Sequence, residues 1–166
     1  MFSLLPNSTL DWMETTWLNQ IAIGFAWSWP TMESLHFLGM TLLFGALIIM
    51  DLRLIGYDRT ASIIATDKLV PIAYIGFGIN LLTGIMFCFG DPHRYAINIS
   101  FQMKMLFLLL AGINFLIFKF AVEPRVATVG PGEDPPSIAK IVGATSLIFW
   151  TAVLCFGRLI PYLGTG

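Results

Sequence analysis

Four stretches of the chain run for about twenty residues with almost no charge, the length a helix needs to cross a bilayer. Residues 32–53 hold an uncharged run from Ser34 to Met50, and 69–90 carry no charge at all. Residues 99–119 are apolar apart from Lys104 and Lys119, whose long stems can snorkel to the interface. Residues 140–160 are bounded by Lys140 and Arg158. Lipid leaves an open sheet edge unsatisfied, so helices are the expected form. The long runs do not resemble the ten-residue alternations of a membrane barrel. Ahead of them, Leu10, Met13, Trp17 and Ile21 recur at helical spacing, opposite Asp11, Glu14 and Gln20. That pattern predicts an amphipathic interfacial helix over 8–28, started by a Ser8/Asp11 cap. Trp27, Trp29 and Pro30 then form an aromatic corner at headgroup level. A positive leading region and a small-residue cleavage site are both missing, so this is no ordinary signal peptide. The prediction is an all-α integral membrane four-helix bundle, one domain over 1–166, with an irregular loop at 121–139 rich in proline.

Composition sharpens this. The chain is 57% hydrophobic and 11% charged, against about 25% charged in ordinary globular domains. That excludes a soluble domain and also disorder. Nine basic against ten acidic residues leave no basic patch for nucleic acid. The few cations are informative by position. With the N-terminal side named A, side B holds Arg53, Arg59, Lys68, Lys119, Arg125 and Lys140. Side A holds only Arg94, Lys104 and Arg158. The positive-inside rule puts side B in the cytoplasm and both termini outside.

Side A also gathers the candidate chemistry. His36 lies a turn inside the first span, sharing a helix face with Met32 and Met40. Gly39 and Gly45 permit close approach of a helix or a flat ligand. His36 is read either as a metal or haem ligand or as a neutral imidazole bonded between helices. His93, in Asp91-Pro92-His93-Arg94-Tyr95, reads first as an exposed turn and second as a metal ligand. Lys104 opens the third span and Arg158 closes the fourth. Cys88 and Cys155 both fall near side A, as buried free thiols or, in an oxidising compartment, as a disulfide. Asp51 and Arg53 read as an interfacial ion pair or as salt-bridge partners for neighbouring spans, with a proton relay as the rarer role for Asp51. Asn80, Thr83 and Asn114 read as interhelical hydrogen-bond formers. Asn7-Ser8-Thr9 and Asn98-Ile99-Ser100 match a glycosylation pattern by chance.

Leu35-His36-Phe37-Leu38-Gly39, Asp51-Leu52-Arg53-Leu54, Asp91-Pro92-His93-Arg94-Tyr95 and Phe101-Gln102-Met103-Lys104 occur in that order across residues 33–118. In this the chain resembles bacterial membrane proteins related to the HemJ-type protoporphyrinogen oxidases and the CopD-type copper-resistance proteins. It is most similar to a four-span inner-membrane family within that group. The resemblance implies haem b with His36 as axial ligand and Lys104 needed nearby. It departs from the HemJ pattern at Asp51, where a proline is usual, and at Asn114, where a histidine is usual. Both departures bear on the oxidase activity. Propionates would fall to Lys104, Arg94 and Arg158, and a second ligand to His93, Met40 or Met103, or to nothing. Gly39, Gly76, Gly78 and Gly84 would shape a flat slot. The expected function is electron transfer near the periplasmic face, exchanging with quinone or a periplasmic redox protein. A larger oxidoreductase with partner subunits, or a homo-oligomer, would supply the remainder. Copper handling through Met32, His36, Met40, His93, Cys88 and Cys155 is the alternative. A cofactor-free structural subunit is the third.

Overall fold

The structure, a computed structural model, describes residues 3–57, 59–60 and 62–163, without the side chains of Ile64, Ala65 and Asp67. It is all-helical, with four helices long and apolar enough to span a membrane. Two short helices, α1 (Asn7–Glu14) and α2 (Trp17–Ile23), precede the first span, α3 (Ser28–Ile55). A short α4 (Ile63–Thr66) leads to α5 (Val70–Gly90). Then come α6 (Pro92–Ile97) and α7 (Ile99–Ile117). The π-helical turn Phe118–Val122 extends α7 into α8 (Glu123–Val126), and α9 (Ser137–Leu159) is the last span.

The predicted interfacial helix is broken in two. Thr15 and Thr16 turn their hydroxyls onto the carbonyls of Trp12 and Met13, at 2.7 and 2.6 Å, which ends α1. Thr16 then caps α2 by accepting from the Asn19 amide at 3.4 Å. Local side-chain bonds of this kind compete with a continuing helix. The break rotates the apolar stripe. Leu10 and Met13 are buried on Ala96, beside Cys88 and Phe89, whereas Trp17 and Ile21 are exposed. Asn19 is buried in their place and donates to the Phe89 carbonyl at 2.8 Å. Nor does the Ser8 cap form. Pro6, with φ −62°, precedes Asn7, and no side chain caps the helix. Trp29 and Pro30 lie inside the first turn of α3, where proline is tolerated.

The spans pair as two hairpins. α3 packs along α5, and α7 packs along α9. Gly39 and Gly76 let α3 and α5 meet backbone to backbone: a Cβ on Gly76 would stand 2.6 Å from the Gly39 carbonyl oxygen. In the second hairpin, Asn114 donates to the Val142 carbonyl at 3.1 Å and accepts from the Thr145 hydroxyl at 2.8 Å. Buried Asn98 closes the far end. Its side chain caps α7 through the Phe101 amide and donates to the Ile160 and Leu163 carbonyls. An amide held in this way is no glycosylation acceptor.

The hairpins join through α3 and α9, and chiefly at side B. There Leu54 and Ile63 form a core with Val122, Val126, Ala139 and Val142. Gly143 fits under the Asp51 carbonyl, where a Cβ would stand 3.0 Å away. The loops are stitched as well: Arg59 pairs with Asp134 at 2.7 Å, and Arg53 donates to the Gly130 carbonyl at 3.0 Å. The expected Asp51–Arg53 contact gives way to this, with Asp51 turned to the Ser146 hydroxyl.

Candidate functional site

Toward side A the two hairpins part, and a cavity of about 660 Å³ fills the space. That lies within the usual range for a small-ligand site. α3 forms one wall with His36, Phe37, Met40, Phe44, Gly45 and Ile48. Gly84 of α5 and Arg94 and Tyr95 of α6 stand beside it. Lys104 of α7 and Gly157 and Arg158 of α9 face them. Gly45 has nothing within 4 Å of its Cβ position, so it widens the cavity and joins no helix contact.

His36 is fixed by a hydrogen bond across the first hairpin. Its Nδ1 lies 2.7 Å from the Thr83 hydroxyl oxygen. That hydroxyl is also 2.7 Å from the Ile79 carbonyl, which can only accept. We assign the single hydroxyl proton to Ile79, so Thr83 accepts from Nδ1–H. The Nε2 lone pair is then free, and no side chain among the described residues engages it. Phe87 packs edge-on against the imidazole at 5.5 Å, with Trp29 against Phe87 at 5.2 Å. Gly84 lies against Cε1, with its Cβ position 4.0 Å away. Imidazole ligands are commonly held in this manner, one nitrogen anchored and the other presented.

The cations are poorly neutralised. Among the described residues no carboxylate pairs with Lys104. Its ammonium lies over Gly157, 3.5 Å from where a Cβ would be, so the glycine makes its seat. Arg94 reaches Asp91 only at 3.9 Å, and its buried Nε has no partner. Arg158 is exposed and rests on the Tyr162 ring at 5.6 Å. Glu33 is the carboxylate in the lining, and it accepts from the Trp29 indole at 3.2 Å. Burial pushes the Tyr95 phenol up to about 12, so it stays neutral beside these charges.

Of the predicted residues, His36, Met40, Lys104, Arg94 and Arg158 share this cavity. His93 does not. It sits on the surface of α6, not in a loose turn, with Nε2 3.1 Å from Asp11 and 3.8 Å from Glu14, and it ties α1 to the bundle. Met103 is not in the lining either. Cys88 and Cys155 are free thiols. Of the four predicted slot glycines, Gly84 lines the cavity, Gly39 and Gly76 pack helices, and Gly78 faces open space. Asn80 bonds within its own helix, to the Gly76 carbonyl at 2.9 Å, not across to a neighbour. Thr83 forms the interhelical hydrogen bond expected of it, with His36 as the partner the sequence did not name, whereas Gly157 as the seat of Lys104 had no sequence signal, because it acts on a different helix.

An imidazole nitrogen is presented to a largely apolar cavity whose rim carries three cations. Met40 approaches from the same face of α3 as His36, so it lies on the His36 side of anything seated there, not opposite. Among the described residues no group of three His, Cys, Asp or Glu side chains forms a metal cage.

No curated protein and no solved structure matches this chain. Across residues 9–163, nearly its whole length, the chain belongs to the family of unknown function DUF6644.

Proposed function

We propose that this is a bacterial inner-membrane protein that binds haem b in the side A cavity and serves electron transfer. The reading draws on the resemblance to the HemJ-type and CopD-type proteins. One observation carries it: His36 is anchored at Nδ1 by Thr83 and presents Nε2 to the cavity. In this proposal His36 is the axial ligand and Lys104, Arg94 and Arg158 receive the propionates. Thr83 holds the imidazole tautomer, while Phe87 and Trp29 keep it dry. The bound group supplies a one-electron carrier. Six cations on side B against three on side A support a periplasmic position for the cavity and both termini. Exchange with quinone or a periplasmic redox protein, within a larger oxidoreductase, fits such a place.

Copper handling is the second reading, because His36 and Met40 line the cavity from one helix face and together suit a soft ion. A spectrum of the detergent-purified protein with dithionite separates the two. A Soret band with sharp α and β bands, lost in His36→Ala, is the expected result. A colourless protein with stoichiometric copper favours the second reading. A protein with neither, folded normally as His36→Ala, sinks both and leaves a structural subunit.

A further inference from the structure

The cavity is longer than its cationic rim requires. From Glu33 to Ile48 it follows α3 for about 22 Å at 1.5 Å per residue. That is the depth of one leaflet, headgroups included, of a bilayer about 40–45 Å thick. Below His36 the wall is Phe37, Met40, Phe44 and Ile48 with the open Gly45, and Phe37 is 61% exposed. At the top stand Lys104 without a carboxylate partner, Arg94 with an unpartnered buried Nε and Asp91 3.9 Å away, and Arg158, with Glu33 as the carboxylate in the lining. An apolar trough one leaflet long with unmatched cations at its mouth complements an amphiphile with an anionic head.

We propose that this trough binds an acidic phospholipid of the side A leaflet, its phosphate held by Lys104, Arg94 and Arg158 and one acyl chain laid along α3. A buried phosphate contact answers two defects at once: it neutralises the ammonium on Gly157 and gives the Arg94 Nε an acceptor. The chain covers Phe37, Phe44 and Gly45, where no helix packs. The inference does not rest on the haem reading. Propionates and phosphate need the same cations, so the lipid occupies the haem-free protein and haem displaces it.

The test is native mass spectrometry of the full chain in detergent. The protein is titrated with phosphatidylglycerol or with phosphatidylcholine of the same acyl chains, and with inorganic phosphate as competitor. One phosphatidylglycerol should be retained, at least tenfold more tightly than phosphatidylcholine. Lys104→Gln should weaken it about fivefold, the worth of one cation near a lipid surface. Gly45→Trp, whose side chain would enter open space, should abolish retention while the melting temperature holds. Equal retention of both lipids, or no change in the Lys104→Gln/Arg94→Gln double variant, overturns the proposal. So does competition by inorganic phosphate at concentrations matching the lipid, since the chain would then contribute nothing. A missing Soret band leaves this result untouched, and equal lipid retention leaves the haem spectrum untouched.

Discussion

Replacing Gly76 by alanine should force α3 and α5 apart. The new Cβ would stand 2.5 Å from the Leu43 amide nitrogen, 2.6 Å from the Gly39 carbonyl oxygen and 3.0 Å from Leu43 Cα. All three are backbone atoms, so no rotamer change relieves the overlap. Non-bonded carbon contacts settle near 3.5–4.0 Å, so the helices must separate by about 1 Å. Overpacking of this kind costs about 1–3 kcal/mol. Alanine returns up to about 1 kcal/mol of helix propensity, leaving a net loss of about 1–2 kcal/mol. Gly78 is the internal control. It lies on the same helix, and its Cβ position has nothing within 4 Å. Gly78→Ala keeps only the propensity gain, so the two alanines, two residues apart, should differ by about 2 kcal/mol. The separation also pulls Thr83 from His36, two turns further along the same seam. Thermal unfolding in one detergent reads the stability difference. Gly76→Ala as stable as Gly78→Ala would refute the close helix contact and the reasoning built on it.

Thr83→Val keeps the shape of the side chain but removes the acceptor of His36 Nδ1–H. In a haem titration it should weaken binding 10–100-fold, with Thr83→Ser near wild type. Asn98→Ala removes a helix cap and strands a buried and a part-buried carbonyl, at a cost of about 1–3 kcal/mol that thermal unfolding would register. On side B, the Lys140 ammonium, with Arg59 beside it, holds the Asp134 carboxyl below its usual value of 3.8. Its contribution is present above pH 3.8 and fades as the pH falls through the lowered value, where protonation releases the loop. Limited proteolysis between Ala127 and Pro136 should therefore accelerate only under strong acid, and at neutral pH in Asp134→Asn.

The spans were legible because lipid allows one solution to a charge-free run, and their ends moved by only a few residues. First-span residues 32–53 became 28–55 once Pro30 was accommodated in the opening turn. The break between α1 and α2 was hidden in Thr15-Thr16, which reads as an unremarkable pair until their hydroxyls choose carbonyls over solvent. At the site, sequence placed the groups that carry charge or a lone pair. His36 and Lys104 stand out in an apolar run because burying them is costly. What holds them was only partly legible: Thr83 read as an interhelical hydrogen-bond former without its partner, and Gly157 looks like an ordinary span residue that acts only on another helix. His93 lies at the surface, as its first reading had it, but its partners were not legible. A histidine near a span end carries the same symbol whether it faces the interior or, as here, clasps Asp11 and Glu14 outside.

The pairing of spans also bears on how the protein is made. Each hairpin is contiguous in the chain and contains its own locks: Gly39 with Gly76 in the first, Asn114 with Thr145 and Asn98 with Ile160 in the second. α5 emerges directly before α7 yet meets it mainly through the Tyr74–Phe115 edge contact. A ribosome delivering this chain therefore hands the bilayer two self-sufficient insertion units in succession. His36 and Thr83 belong to the first, and Lys104, Gly157 and Arg158 to the second. A translation product ending after Gly90 should already hold His36 in its final tautomer, whereas the anion seat comes into being only when the second unit docks. The cavity between the hairpins is thus completed last, and a synthesis error in either half is registered at one shared place.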